Sequence, residues 1–500
     1  MIARRTPGPP GDRKIVIVGA GFSGIGMAIR LKQSGIEDFI ILECAPDVGG
    51  AWHFNTYPGC RCDVPSHLYS FSFAPNPNWS NTYSPQPEIR AYLRRCADEF
   101  GVRTHIQTGV EVQSSAWDQD EQLWQIDTTA GRFTASLLIS GMGPLTEPKL
   151  PDVPGIESFQ GKTMHSARWE HDYPLAGKRV ASIGTGASAI QYVPAIQEQV
   201  QKLYVFQRTA PWIMPHGARP ISDRERSMFR RVPVVQKLIR EGVYWGKEAL
   251  VLGFVKRPRL MGALERLSRW HMRRQVSDPG LRTKLVPSFA LGCKRILPSN
   301  EWYPALAQPN VELVTGGLRE VRESSVIDSD GREYEVDAII FGTGFHVADP
   351  PVAEHVRGRD GRLMREVWEG TPRAYLGTSV PGFPNLFLLL GPNTGLGHSS
   401  MVYMIETQIE HVLQAIQVMD RRRANTIEVR PQVYEEFNQD VDARMKGTVW
   451  ESGCSSFYQD VTGRNGVLWP DWTWRFRRQA TRFDEGAYLF SASMRAPFVS

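Results

Sequence analysis

The sequence predicts an α/β fold of two parallel-sheet units, with a helical insertion in the second. Three observations predict it. An apolar run at residues 14–18 ends in Gly19-Ala20-Gly21-Phe22-Ser23-Gly24 and leads into a helical pattern. A second run, Arg179–Ile183, ends in Gly184-Thr185-Gly186-Ala187-Ser188-Ala189 and does the same. Between residues 216 and 291 this alternation stops, and amphipathic helical stretches thick with arginine replace it.

Each glycine loop follows a buried strand and opens a helix, which is the arrangement that holds a dinucleotide. The first glycine permits the tight turn, and the second lets backbone approach a pyrophosphate. The third lets helix pack on strand. A helix N-terminus favours the phosphate charge. The fold class is therefore α/β with two Rossmann-like dinucleotide-binding domains. Residues 1–150 and 346–500 are expected to form the first domain, discontinuously. Residues 151–215 and 292–345 form the second, and residues 216–291 the insertion.

In order, residues 14–18 read as a strand, 23–34 as a helix and 39–42 as a strand ending in Glu43. Glu43 stands roughly twenty residues past the glycines, where an acid accepts hydrogen bonds from a ribose. Gly49-Gly50-Ala51-Trp52 and Tyr57-Pro58-Gly59-Cys60-Arg61-Cys62-Asp63 read as loops. Trp52 also suits a core aromatic, and Asp63 a turn-capping Asx residue. Residues 84–99 read as a surface helix, and 104–112 and 117–127 as strands of a small sheet. Strand 135–140 leads back to the first domain's edge, and the proline-rich stretch 144–154 marks a boundary.

The second unit begins with a linker, Phe159-Gln160-Gly161-Lys162-Thr163-Met164-His165-Ser166-Ala167-Arg168-Trp169. After strand 179–183 and the loop, Ala189 replaces the third glycine, as the pattern allows. Helix 190–196 and strand 203–206 follow, then Gln207-Arg208-Thr209. No acid stands there for a ribose 2′-hydroxyl. Arg208 offers a fork of donors to a 2′-phosphate and Thr209 adds a hydroxyl, which favours NADPH over NADH. Within the insertion, residues 234–248 and 261–274 read as helices. A basic amphipathic helix can lie on a membrane surface, but the reading taken is a solvated domain face. Gly292-Cys293-Lys294-Arg295, strands at 310–314 and 336–341, and a helix from Met401 to about residue 418 complete the unit and the return. Met401 suits either cofactor contact or core. No single role is assigned to the tail 448–483.

Length allows two or three well-buried domains. The net charge of +5 suits a protein binding anionic dinucleotides and does not argue for nucleic acid. No apolar run is long enough to span a bilayer. Met1 to Arg13 lacks a signal peptide's apolar core and reads as a loose tail. The six cysteines show no disulfide framework, so a reducing cytoplasm is expected. Cys60-Arg61-Cys62 matches neither a dithiol redox pair nor half a zinc site, and no metal is expected.

The spacing Phe159-x-Gly161-x-x-x-His165-x-x-x-Trp169 before a second dinucleotide loop resembles the fingerprint of type I Baeyer–Villiger monooxygenases, class B flavoprotein monooxygenases that use FAD and NADPH. The family usually carries Pro or Asp after the Trp, where this chain has Glu170, and often Pro where it has Ile296. The resemblance runs from Lys14 to about Phe483. It implies FAD on Gly19, Gly21, Phe22, Gly24, Glu43, Trp52, Asp63, Tyr69, Val110 and Met401. It implies NADP on Thr185, Gly186, Ala187, Ser188, Ala189, Gln191, Arg208, Thr209 and Lys294. It also implies that Arg295 stands at the flavin and is held by Asp63.

The implied partners are a small carbonyl substrate and O2, with no nucleic acid; the oligomeric state is not legible. A flavin reduced by NADPH reacts with oxygen at C4a to give a peroxide, which as an anion attacks a carbonyl and turns a ketone into an ester or lactone. A guanidinium suits that anion because it is always charged and directional. Arg295 and Asp63 are thus the expected catalytic residues, while His165 and Trp169 couple the movement of two domains. Sulfur or nitrogen oxygenation shares the two loops without needing the Asp63–Arg295 pair. A disulfide reductase needs a C-x-x-C or C-x4-C beside the flavin, which is not present. A non-catalytic nucleotide-binding protein would tolerate loss of the arginine.

Overall fold

The structure, a computed structural model, describes residues 12–492; residues 1–11, read as most of the loose tail, lie outside it. The chain opens with β1 (Asp12–Val18), α1 (Phe22–Gln33) and β2 (Phe39–Glu43). Ile15, Val16 and Ile17 are fully buried because β1 is central, with parallel neighbours on both sides. A Cβ on Gly24 would stand 1.9 Å from the Gly19 carbonyl oxygen, so only glycine lets α1 leave the sheet this closely. Gly19 itself takes a φ of +95°.

Helix α2 (Gln86–Glu99) packs on α1 and leads to β3 (Ile106–Thr108). Here the structure departs from the sequence reading. Residues 104–112 are not one strand: only 106–108 pair, and they extend the main sheet beside β2. Nor are residues 117–127 one strand. The polar run Asp118-Gln119-Asp120-Glu121-Gln122 turns the chain, with Gln122 at φ 53°, and separates β4 (Val112–Asp118) from β5 (Leu123–Thr128). The two form a hairpin in which Trp117 and Trp124 meet edge to face at 5.6 Å. β6 (Gly131–Ser140) pairs antiparallel with β5 and parallel with β1.

A second, all-parallel sheet follows. It contains β7 (Lys162–His165), β8 (Arg179–Ile183), β9 (Lys202–Phe206), β10 (Val311–Val314) and β11 (Ala338–Phe341), in the order β10-β9-β8-β11-β7. The stretch read as a linker thus supplies an edge strand. Helix α3 (Ala189–Ile196) crosses from β8 to β9. The insertion carries α4 (Asp223–Arg231), α5 (Pro233–Glu248) and α6 (Met261–Gln275). Ser222 and Glu225 cap α4 reciprocally.

The chain then returns to the first sheet through β12 (Val356–Arg357) on β4 and β13 (Leu386–Leu388) on β6. Helix α7 (Met401–Arg422) packs on α1 and on α8 (Thr473–Ala480). Among the described residues no helix is long and apolar enough to cross a membrane, and no group of side chains could hold a metal ion.

Candidate active site

The first loop ends at α1, whose N-cap Gly21 makes no side-chain capping bond, so the first-turn N–H groups stay open for an anion. A Cβ on Gly50 would come within 2.9 Å of Gly21 Cα, which keeps the two glycine turns in close register. Glu43 is buried and holds this loop: Oε2 accepts from the Ala20 N–H at 2.6 Å and Oε1 from the Ala45 N–H at 2.8 Å. A carboxylate retains lone pairs beyond these two bonds, so Glu43 can still accept from a ribose. The Val110 N–H donates to the Glu43 carbonyl at 2.9 Å, bringing Val110 beside it.

Phe22, Trp52 and Tyr69 converge at the start of α1. Trp52 Nε1 donates to the Tyr69 hydroxyl at 3.0 Å, and the Tyr69 ring meets Phe22 at 5.1 Å and Trp52 at 5.6 Å. Burial raises the Tyr69 hydroxyl's pKa, so it stays protonated. Met401 begins α7 and is half-buried, behind an N-cap in which the Ser400 hydroxyl accepts from the Val402 N–H.

The second loop is open at its tip, with Gly186 and Ala187 exposed and no side-chain cap at Ser188. Gly184, at φ +107°, sits where a Cβ would meet the Gly342 carbonyl oxygen at 2.5 Å. The Thr185 hydroxyl donates to the Thr209 carbonyl at 3.3 Å. Gln191 points elsewhere. Its amide oxygen accepts from the Tyr57 hydroxyl and the Arg61 N–H, each at 3.1 Å, and its amide nitrogen donates to the Arg61 carbonyl at 3.1 Å. It ties α3 to the loop carrying Asp63. Arg208 is exposed at the end of β9. Lys294 lies close enough for burial, and then the Arg208 charge, to lower its pKa. The Lys294 ammonium lies 4.8 Å from the Phe289 ring centre, and neither cation has an ion-pair partner among the described residues.

Asp63, from the loop before α2, and Arg295, from the segment after the insertion, meet directly. Nε donates to Oδ2 at 2.9 Å, and Nη2 donates to Oδ1 at 2.7 Å and Oδ2 at 2.6 Å. The side chains keep 21% and 31% exposure, so the pair is sheltered yet reachable. Asp63 raises the pKa of Arg295 further against the opposing cost of burial. Burial works to raise the pKa of Asp63, but the Arg295 charge and hydrogen bonds prevail and hold it below the usual range.

Two residues here were not singled out in the sequence. Lys247, on α5, has its pKa lowered by burial, with Asp63 opposing and Arg295 adding to the effect. Tyr458, from the tail, is buried against Arg295, and burial pushes its hydroxyl up to about 12. Neither belongs to a motif, since both come from the insertion and tail, where spacing carries no code.

The expectation drawn from the cysteines is overturned. Cys293 and Cys454, 161 residues apart, form a disulfide. It bonds the Lys294–Arg295 segment to the tail, and it removes the cysteine pattern's support for a reducing compartment. The pairing was illegible because sequence separation says nothing of Cα distance, here 6.2 Å. Cys44, Cys60, Cys62 and Cys96 remain free. Burial raises Cys60 to about 12 and Cys62 as well, so neither offers the thiolate that disulfide-reductase chemistry needs.

In the fingerprint stretch, the Phe159 ring packs over Gly161, where a Cβ would stand 2.5 Å from it. His165 is buried, and its Nδ1 accepts from the Ala167 N–H at 3.1 Å. Its ring meets Phe345 at 5.6 Å, on the return segment, while Trp169 meets Tyr192 of α3 at 5.6 Å. Glu170, the departure from the family pattern, pairs with Lys162 at 2.5 Å.

Glu248, fully buried on α5, was also not read from the sequence. It accepts from the Thr473 N–H at 2.6 Å and hydroxyl at 2.8 Å, and lies 3.5 Å from His398 Nε2. It fastens the insertion to the segment preceding α7 and to the first residue of α8.

Residues 16–222 match the family described as pyridine nucleotide-disulphide oxidoreductase. The chain is 50% identical over 480 residues to a Baeyer-Villiger monooxygenase of Streptomyces coelicolor, covering 95% of this chain and 92% of that protein. It is 50% identical over 491 residues to a Baeyer-Villiger monooxygenase of Pseudomonas aeruginosa, covering 98% and 93%. Among solved structures, an oxidized steroid monooxygenase bound to NADP matches with a TM-score of 0.85 at 30% identity, covering 96% of this chain and all of the other. A closed cyclohexanone monooxygenase matches with a TM-score of 0.86 at 27% identity, covering 97% and 100%.

Proposed function

The chain belongs to the Baeyer–Villiger monooxygenase family, and from that premise we propose that Arg295, held by Asp63, is the charged group on which its oxygen insertion depends. The overall reaction is NADPH- and O2-dependent: ketone, O2, NADPH and a proton give ester or lactone, NADP+ and water. When bound, FAD activates dioxygen and NADPH supplies the hydride.

The residues present fit both groups. The open N-terminus of α1 and the Gly19–Gly21–Gly24 cradle suit the FAD pyrophosphate, with Glu43 beside its ribose. Phe22, Trp52, Tyr69, Val110 and Met401 complete that set. Thr185, Gly186, Ala187, Ser188 and Ala189 would hold the NADP pyrophosphate, and Arg208, Thr209 and Lys294 its 2′-phosphate. Gln191 acts indirectly, by fixing α3 against the Asp63 loop.

Asp63 sets the plane of the guanidinium through its fork. Arg295 stays charged at any working pH, because its partner raises an already high pKa. Oxygen atoms gaining negative charge during insertion are stabilised by this fixed cation. It needs no reorganisation and lies in a site of reduced water access. Tyr458 and the buried Trp450, Val449 and Leu468 shield that side. His165 and Trp169 bridge the linker strand to the return segment and to α3, which suits coupling of the two units.

The observation that carries this reading is the forked Arg295–Asp63 contact across 232 residues of sequence. Its test is NADPH consumption and product mass with a panel of ketones and thioethers. Esters or lactones support it; sulfoxides without esters would overturn it.

A further inference from the structure

The insertion turns an apolar face outward. In α5 the buried side is Gln236, Tyr244 and Glu248, while Val234, Leu238 and Trp245 are 57%, 65% and 55% exposed. These three recur at i, i+4 and i+11, so they share one stripe of the helix. In α6, Leu267 and Trp270 are exposed opposite the buried Ser268 and Met272. Of the 16 exposed large apolar residues among those described, 11 lie between 228 and 286, so the patch belongs to the insertion rather than to the surface at large. A merely solvated face does not carry such a concentration.

Charge selects the occupant. Residues 216–291 hold 17 Lys and Arg against 6 Asp and Glu, a net +11 in a chain whose total is +5. Arg257, Arg259, Arg266, Arg273 and Arg274 are exposed in the same insertion, and the Arg274 guanidinium lies 5.5 Å from the Trp270 ring centre. A second copy would bring +11 against +11. Nucleic acid would use the cations and leave the Val234–Leu238–Trp245 stripe in water. Exposed Leu and Trp among Arg match an anionic lipid surface, which takes both.

We propose that the insertion docks the protein on an anionic bilayer, with the α5 stripe in the headgroup–acyl boundary and these arginines on lipid phosphates. The side of α5 opposite the stripe carries Lys247 toward the Asp63–Arg295 pair. This docking is independent of the reaction proposed above.

The test is co-sedimentation of the full chain with phosphatidylcholine vesicles, with or without phosphatidylglycerol. Binding is expected only to vesicles with phosphatidylglycerol, and should weaken as salt rises. Leu238→Ser with Trp245→Ser should lower the partition coefficient on the order of tenfold. Arg273→Gln with Arg274→Gln should lower it similarly and flatten the salt dependence. Neither double variant should change NADPH oxidation with a water-soluble ketone. Four outcomes overturn the proposal: no binding to phosphatidylglycerol vesicles, variants that bind those vesicles as tightly as the unsubstituted chain, a dimer that the Leu238/Trp245 variant converts to monomer, or tighter binding to RNA than to those vesicles. Vesicle binding needs no turnover, so its failure leaves the active-site reading untouched.

Discussion

Arg295 and Asp63 meet through two arms of the guanidinium, Nε and Nη2, leaving Nη1 outside the fork. The carboxylate fixes the plane, and the third nitrogen is the corner that can turn to substrate or cofactor. A lysine could not hold that geometry, because its ammonium is a point charge on a flexible stem.

Replacing Arg295 with Ala should cut ester formation on the order of 100- to 1000-fold. Arg295→Lys should recover little of it. Asp63→Asn keeps the cation but loosens its plane, so its loss should be smaller. Product mass per NADPH consumed reports each variant, with flavin absorbance confirming that the cofactor is retained. Full ester formation by Arg295→Ala would refute the assigned role.

Arg208 and Lys294 are cations with no carboxylate partner among the described residues, and burial, with the Arg208 charge adding to it, lowers the pKa of Lys294. A bound 2′-phosphate would relieve that repulsion. Arg208→Ala should raise the KM for NADPH about 10- to 100-fold while leaving that for NADH nearly unchanged. Equal losses for both cofactors would place the phosphate elsewhere.

His165 is buried and neutral, and burial pulls its pKa down to about 4. Its folded pKa therefore lies below its unfolded value of about 6.5. The unfolded chain binds the extra proton first, so stability is full above about 6.5 and is lost as pH falls toward 4. His411, also buried and lowered to about 4, acts in the same window. Melting temperature should drop across that interval. His165→Asn, which can keep an acceptor for the Ala167 N–H, should remove part of the slope. An unchanged slope would mean that His165 does not titrate with unfolding.

The cysteines give a count that can be checked directly. Denatured without reductant, the protein should show the four thiols of Cys44, Cys60, Cys62 and Cys96; after reduction it should show six. Reduction should lower stability by about 2–4 kcal/mol, as expected for a bond closing a long loop. Six reactive thiols without reductant would remove the bond.

The glycine loops were legible because their constraint is local: Gly24 and Gly184 face carbonyl oxygens that no side chain could approach. The Asp63–Arg295 pair was legible only through family resemblance, since nothing local links residues so far apart. What local pattern could not give was three-dimensional proximity. The turn at Gln122 uses a non-glycine residue at positive φ, so the hairpin of β4 and β5 read as one strand. The Cys293–Cys454 bond and the Glu248–Thr473 contact join segments with no shared periodicity. Gln191 sat at the right position for NADP, but its amide is spent on Tyr57 and Arg61. The charge of the insertion was visible, but the outward aim of its Leu and Trp side chains was not.

The bond between Cys293 and Cys454 makes the guanidinium's strand of chain and the tail a single mechanical part. Residue 295 is two positions from one sulfur and residue 458 four from the other. Any motion that admits a substrate from that side must carry both together, or pivot somewhere beyond them. Around this weld, residues 293–295 and 454–458 move as one body or not at all.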